Sequence, residues 1–281
     1  LNLQWGFTGL INFGHVAFMT VGAYTTMLLS LNGVPIIIAV AIGSGLAALL
    51  GLLMGLSTLR LREDYLAIVT IGVSEIVRLV VLNEEWLTRG TFGVQNFPLP
   101  LQNWNPNMPM RLVAIALLTV IAGLTFRQMW QWLSKVWQQQ KSREKIPVGT
   151  LILGIFSFLL ALAIYIAGVI GLFDYTYKAG LMLLLLSVVW LIFWQLERLA
   201  RSPWGRVLKA IREDEEVPKA LGKNVFWYKL QSLMLGGAIA GIAGSFYAWQ
   251  QSSVYPDDFI PLTTFEAWTI VVLGGAGNNA G

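Results

Sequence analysis

The chain alternates between long apolar runs and shorter polar segments. A helix that crosses the hydrocarbon of a bilayer needs about 20 mostly apolar residues. Runs that meet or approach that length lie at 9–30, 34–58, 65–82, 110–126, 147–170, 178–196 and 229–250. An eighth, 263–276, is shorter and ends in glycines, which reads as a re-entrant segment or a span cut by the end of the sequence. The pattern predicts an all-α, polytopic transmembrane bundle of about eight membrane segments, forming one domain over 1–281. No initiator Met and no basic stretch before an apolar one opens the chain, and it stops after a Gly-rich run, so it reads as a piece truncated at both ends.

Composition strengthens this reading. Apolar residues are 56% of the chain and charged residues 12%, where soluble domains carry about 25% charged residues. The 28 glycines suit helices that approach closely in lipid. There is no cysteine and one histidine, His15. A disulfide framework, a thiolate metal site and a multi-His metal site are therefore excluded within this chain.

Net charge is only +4, but its placement is informative. With segments 59–64, 127–146 and 197–229 on one side, all of the 19 basic residues except Arg78, Arg89, Arg111 and Lys178 fall on that side. All seven long runs alternate correctly under this choice, and the positive-inside rule makes the side cytoplasmic. A buried soluble helical core has no reason to alternate in this way. The opposite segments differ in character. Residues 83–109 combine Glu84, Glu85, Trp86 and Trp104 with four prolines, and 251–262 is acidic and proline-broken. Segment 127–146 interleaves Met129, Trp130 and Trp137 with Gln and Lys at near-helical spacing. It reads as an amphipathic insertion anchored at the membrane surface rather than as a nucleic-acid contact.

The segment 197–229 carries the most information. Pro203 reads as a helix start and Gly222 as its stop. Between them Val207, Leu208, Ile211, Val217, Ala220 and Leu221 form an apolar stripe beside dense charge. Such a surface helix suits docking into a groove of another protein; the plainer reading is a solvated loop that obeys the charge rule.

The stretch resembles the coupling loop of ABC-importer permeases, in which a Glu is followed six residues later by a Gly, as with Glu216 and Gly222. More closely, GRVLKAIREDEEVPKALGKNVFWYKL is similar to that loop in the LivM-type permeases for branched-chain and other neutral amino acids. GLINFGHVAFMTVGAYT (9–25) and TFEAWTIVVLGGAGNNAG (264–281) agree with it. Val217-Pro218 departs from the family, which more often has two small residues there, and the Trp- and Gln-rich 127–146 looks peculiar to this branch. The resemblance implies a type II-like importer fold in a bacterial inner membrane and contact with ATPases through Arg206, Ile211, Glu216, Leu221 and Gly222. The implied partners are a LivH-like second permease subunit, two ABC ATPase subunits that bind ATP and Mg, and a periplasmic substrate-binding protein. Membrane lipid surrounds the assembly, and no nucleic acid is expected. The chain has no Gly-x4-Gly-Lys-Ser/Thr loop, so no cofactor and no hydrolysis are assigned to it.

Candidates for the translocation path follow from polar residues within apolar runs, which are costly facing lipid. The first run holds Asn12, Gly14, His15, Gly22 and Thr25, and its glycines permit a helix break whose half-helix ends meet a zwitterionic solute. The competing reading is structural, with His15 bonded to a neighbouring helix and the glycines as packing contacts. Glu75 and Arg78 lie three apart, within pairing distance on one helix face, and Glu266 is a further acid in an apolar segment. Gly51-x-x-x-Gly55 and Gly237-x-x-x-Gly241, with Gly244 beyond, read as helix crossings. Gly275–Ala280 formally matches a dinucleotide fingerprint but lacks the strand, helix and βαβ unit that motif requires. Two other functions fit less of the pattern: a permease for urea or another small solute, and an ion-coupled secondary transporter using Glu75 and Glu266.

Overall fold

The computed structural model describes residues 1–59, 63–102, 106–140, 148–275 and 277. Arg60, Arg62, Trp104, Lys141, Arg143, Lys145 and 278–281 lie outside the described residues. In chain order the helices are α1 (Asn2–Thr8), α2 (His15–Leu31), α3 (Ile36–Thr58), α4 (Glu63–Asn83), α5 (Glu85–Thr88), α6 (Met108–Gln140), α7 (Val148–Phe173), α8 (Tyr177–Arg201), α9 (Pro203–Glu213), α10 (Glu216–Ala220), α11 (Val225–Gln251) and α12 (Pro261–Gly274). Two short strands, β1 (Val94–Gln95) and β2 (Ser253–Val254), pair antiparallel with Val94 opposite Val254. Among the described residues, five helical stretches are long and apolar enough to cross a membrane: Ile36–Thr58, Tyr65–Asn83, Met108–Arg127, Tyr177–Arg201 and Val225–Gln251.

Local sequence explains where several helices begin. Pro35 sits at the N-cap of α3 and Pro261 opens α12, positions where the missing N–H costs no helical bond. Ser202 caps α9, accepting from Gly205 N, and Asn224 caps α11, accepting from Trp227 N at 3.1 Å.

The chain divides into two compact units, Leu1–Pro100 with Gln195–Gly281, and Leu101–Trp194. The first is built on α2, α3 and α11, which cross with almost no side chain between them. A Cβ at Gly22 would lie 2.2 Å from Gly241 O, one at Gly244 2.1 Å from Met19 O, and one at Gly237 2.8 Å from Ala47 O. Backbones this close are what small-residue spacing permits in lipid. Hydroxyls add bonds at the same crossings: Thr26 and Ser245 meet at 2.8 Å, and Ser44 donates to Ala238 O at 3.0 Å. Phe18, Ala47, Leu233 and Ala240 fill the remaining interior.

The second unit contains α6, α7 and the start of α8. Leu118, Leu172 and Ala179 form its buried centre, Thr119 and Tyr165 share a hydrogen bond of 3.0 Å, and Arg111 donates to Phe173 O at 2.8 Å. Its other apolar side chains, such as Val113, Val120, Leu159 and Ile170, are exposed, as a lipid-facing surface requires.

Three expectations change. The first run is not one helix from residue 9: α1 ends at Gly9, whose φ of 73° is left-handed, and α2 starts at His15, leaving 9–14 as a break. Gly22 lies inside the unbroken α2; its role there is close packing. The segment from 127 is not a separate surface helix, because α6 runs on without interruption to Gln140. No Gly or Pro separates Gly123 from Gln140, so nothing stops the helix. Its 33 residues span roughly 50 Å, more than a hydrocarbon core of about 30 Å.

Candidate functional site

Two places in the first unit carry the candidate residues. One is the α9–α10 segment. It is two helices rather than a single helix from Pro203 to Gly222. Asp214 is extended (φ −159°, ψ 118°), and its side chain accepts from Glu216 N at 2.9 Å. The cause is Pro218. In a continuous helix its ring would clash with the carbonyl four residues back, at Asp214, and a backbone bond would be lost. Restarting at Glu216 puts Pro218 in the first turn of α10, where no N–H is needed. Gly222, at φ 72°, then ends α10, with Gly222 N donating to Lys219 O and Lys223 N to Pro218 O, both at 2.9 Å.

The apolar stripe is split by depth. Leu208 and Ile211 are buried in a cluster with Leu3, Phe7, Ala200 and Val225. Ile211 therefore does not present itself to a partner, contrary to its reading as a docking residue. Val217 and Leu221 point the other way, with Leu221 74% exposed. Arg206 and Glu216 are exposed as well. Lys219 donates to Glu216 at 2.8 Å, and this bond raises the lysine pKa above its ordinary value. The buried ammonium of Lys229, on the first turns of α11, pairs with Glu215. Trp204 donates to Gln231 at 2.7 Å. The segment thus has one face built into the chain and one face of charge and free apolar side chains.

The other place is the break at 9–14. Asn12 is buried and central to it. Its Nδ2 donates to Gln4 Oε1 at 3.1 Å, its Oδ1 accepts from Gly14 N at 2.9 Å, and its carbonyl accepts from Trp268 Nε1 at 3.0 Å. Phe13 N donates to Thr70 Oγ1 at 3.1 Å and Val16 N to Thr264 Oγ1 at 3.0 Å. The start of α2 is therefore occupied by Asn12, Thr70 and Thr264, and does not stand open to a solute. A Cβ at Gly14 would lie 2.0 Å from Thr70 O, so this position holds α4 against the break. His15 packs edge-on against Phe18 at 5.5 Å, and its Nδ1 is buried with no partner among the described residues. Thr25 is half-buried on α2 and Glu266 is exposed on α12.

Glu75 and Arg78 form the pair their spacing predicts, at 2.6 Å, and Arg78 also reaches Asp257 at 3.2 Å. Sequence reasoning passed over Gln4, Thr70, Thr264 and Trp268. Gln4 sits in a run too short to be read as a span, although a lone amide within NLQWGFT was a legible signal. The others are single polar residues whose partners come from distant segments.

The 1–281 sequence matches the family described as the permease component of the branched-chain amino acid transport system over its whole length. It is 31% identical to the LivM permease protein of the high-affinity branched-chain amino acid transport system of Escherichia coli, and 30% identical to that of Salmonella typhimurium. Each alignment takes in 99% of this chain and 55% of the relative, so the chain spans about half the length of the curated relatives it matches. It is also 35% identical over 99 residues to a probable branched-chain amino acid transport permease protein LivM of Methanocaldococcus jannaschii, covering 35% of this chain and 29% of that one. No solved structure matches the chain. The long apolar helices and these matches agree on a multi-pass inner-membrane protein. The chain belongs to the family of branched-chain amino acid transport system permease components.

Proposed function

We propose that this chain is the membrane core of a permease subunit in an ATP-driven importer for branched-chain or other neutral amino acids. The observation that carries the reading is the α9–α10 segment, whose buried face is anchored in the chain while Leu221, Val217, Arg206 and Glu216 stay exposed. A solvated loop has no need of an anchored face and a separate apolar one; a docking element needs both. In this reading the exposed face receives an ABC ATPase, two of which bind ATP and Mg beneath a pair of permease subunits, one of them LivH-like. A periplasmic binding protein delivers the solute to the side bearing β1 and β2. The α2, α7 and α12 helices join the five long ones as membrane segments, giving about eight in all, and α9–α10 faces the cytoplasm.

The test is reconstitution of the complete permease with its ATP-binding subunits. Central interface residues lose about 2 kcal/mol or more when removed, which is roughly thirtyfold in affinity. Leu221→Asp is expected to release the ATPases from the membrane and abolish ATP-dependent uptake while the permease still inserts. Retention of both by this variant refutes the docking role, and uptake by the wild type without ATPases refutes the importer itself.

A further inference from the structure

We propose that α1 is the element that transmits movement of α9–α10 to the broken helix at 9–14, with Arg212 and Gln4 as its positioning residues. The inference rests on the docking role argued above and concerns what happens after docking. Helix α1 is seven residues long, too short to cross a membrane, yet it is held on every side. From α9, Arg212 Nη1 donates to Gly6 O at 2.7 Å, and Leu208 and Ile211 pack with Leu3 and Phe7. Gly6 also lets Gly277 approach α1: a Cβ there would lie 2.4 Å from Gly277 N, whose own N–H is held by Asn2 Oδ1 at 2.9 Å.

The side chain of Gln4 leaves α1 in the other direction. It is fully buried, accepts from Asn12 at 3.1 Å, and donates to Leu233 O of α11 at 3.5 Å. Asn12 in turn holds Gly14 N, at the start of α2, and the indole of Trp268 on α12. Arg212 is therefore bonded to the backbone of α1, and the Gln4 side chain of the same short helix is bonded to Asn12. A displacement of α9 that leaves α1 behind breaks the Arg212 bond and uncovers the packing of Leu208 and Ile211 on Leu3 and Phe7. If α1 follows, the buried Gln4 amide either carries Asn12 with it or loses its partner, a costly loss. The connections of α1 that need no side-chain amide or guanidinium, such as Ser232 to Leu3 O at 3.2 Å, hold its place when the relay residues are changed. Spatial continuity alone does not establish coupling; a change in how two events depend on each other does.

The experiment uses the full permease with its ATPases and binding protein in proteoliposomes, supplied with tritiated leucine. The readout is leucine delivered per ATP hydrolysed, which a merely weaker fold would leave unchanged among surviving complexes. Arg212→Ala is expected to retain ATPase co-purification and hydrolysis but lower that ratio about tenfold, the worth of one charge-assisted bond. Arg212→Lys keeps a donor and restores most of it, and Gln4→Leu reproduces the loss. If Gln4→Leu does not assemble, a spin-label pair at Glu213 and Thr25 serves instead, since the native chain has no cysteine. The pair should change separation on ATP binding in the wild type and not with Arg212→Ala. An unaltered ratio with Arg212→Ala, or a label response identical in both backgrounds, overturns the relay while leaving the docking role intact. Wild-type uptake that ignores ATP instead sinks the reading beneath it.

Discussion

The α2–α3–α11 crossing and the α6–α7 pair solve the same problem with different residues. Both are apolar helices whose outer faces are exposed. In the first, glycines at 22, 43, 51, 237, 241 and 244 bring backbone against backbone, and hydroxyls bond across the gap. In the second, Leu118 and Leu172 fill the space between helices, and Gly123 has nothing within 4 Å of where a Cβ would sit. Lipid is as apolar as leucine, so burying leucine from lipid drives little association, and close van der Waals contact must do more. The crossing with the closest backbones is also the one to which the candidate site is attached, through Gln4 and Leu233 O on α11. Tight packing there gives a rigid frame against which the 9–14 break is positioned. The α6–α7 pair carries none of the candidate residues.

The sharpest way to break this contrast is the same substitution in both places. Gly22→Leu drives a side chain into Gly241 O and is expected to cost at least about 3 kcal/mol, the upper end for overpacking, enough to remove folded protein from detergent extracts. Gly123→Leu should leave yield and melting temperature unchanged. Equal losses would mean that glycine matters for helix flexibility and not for closeness. Leu118→Ala tests the other half: it empties a buried site and should cost roughly 2–4 kcal/mol in denaturant titration, a loss confined to the second unit.

Smaller effects refine the picture. Thr26→Val removes the bond to Ser245 and should lower stability by about 1 kcal/mol, with Thr119→Val in the α6–α7 pair losing no more. Asp257→Asn removes an 83% exposed partner of Arg78. It should lower the free energy of unfolding by less than about 1 kcal/mol, and by less still in high salt. A larger loss would show that Arg78 depends on Asp257 as well as on Glu75.

The linear pattern carried a great deal. Apolar runs of bilayer length placed α3, α4, α8 and α11 to within a few residues, because a helix in lipid must satisfy its backbone internally and its length is set by membrane thickness. Spacing of three placed Glu75 on Arg78, and Gly222 marked the end of α10, since both are local consequences of helical geometry. What the pattern did not disclose depends on residues far apart in sequence. Nothing near Ile211 says that it is covered by Leu3, Phe7 and Val225 while Leu221, ten positions on, stays exposed. Glycines in the first run permitted a break, but the extent of the break at 9–14 was hidden, because its polar groups are satisfied by Gln4, Thr70, Thr264 and Trp268, which reach it from α1, α4 and α12. Periodicity reports which face of a helix is apolar. Whether that face meets lipid, a partner or the chain itself is settled by which distant segments fold against it.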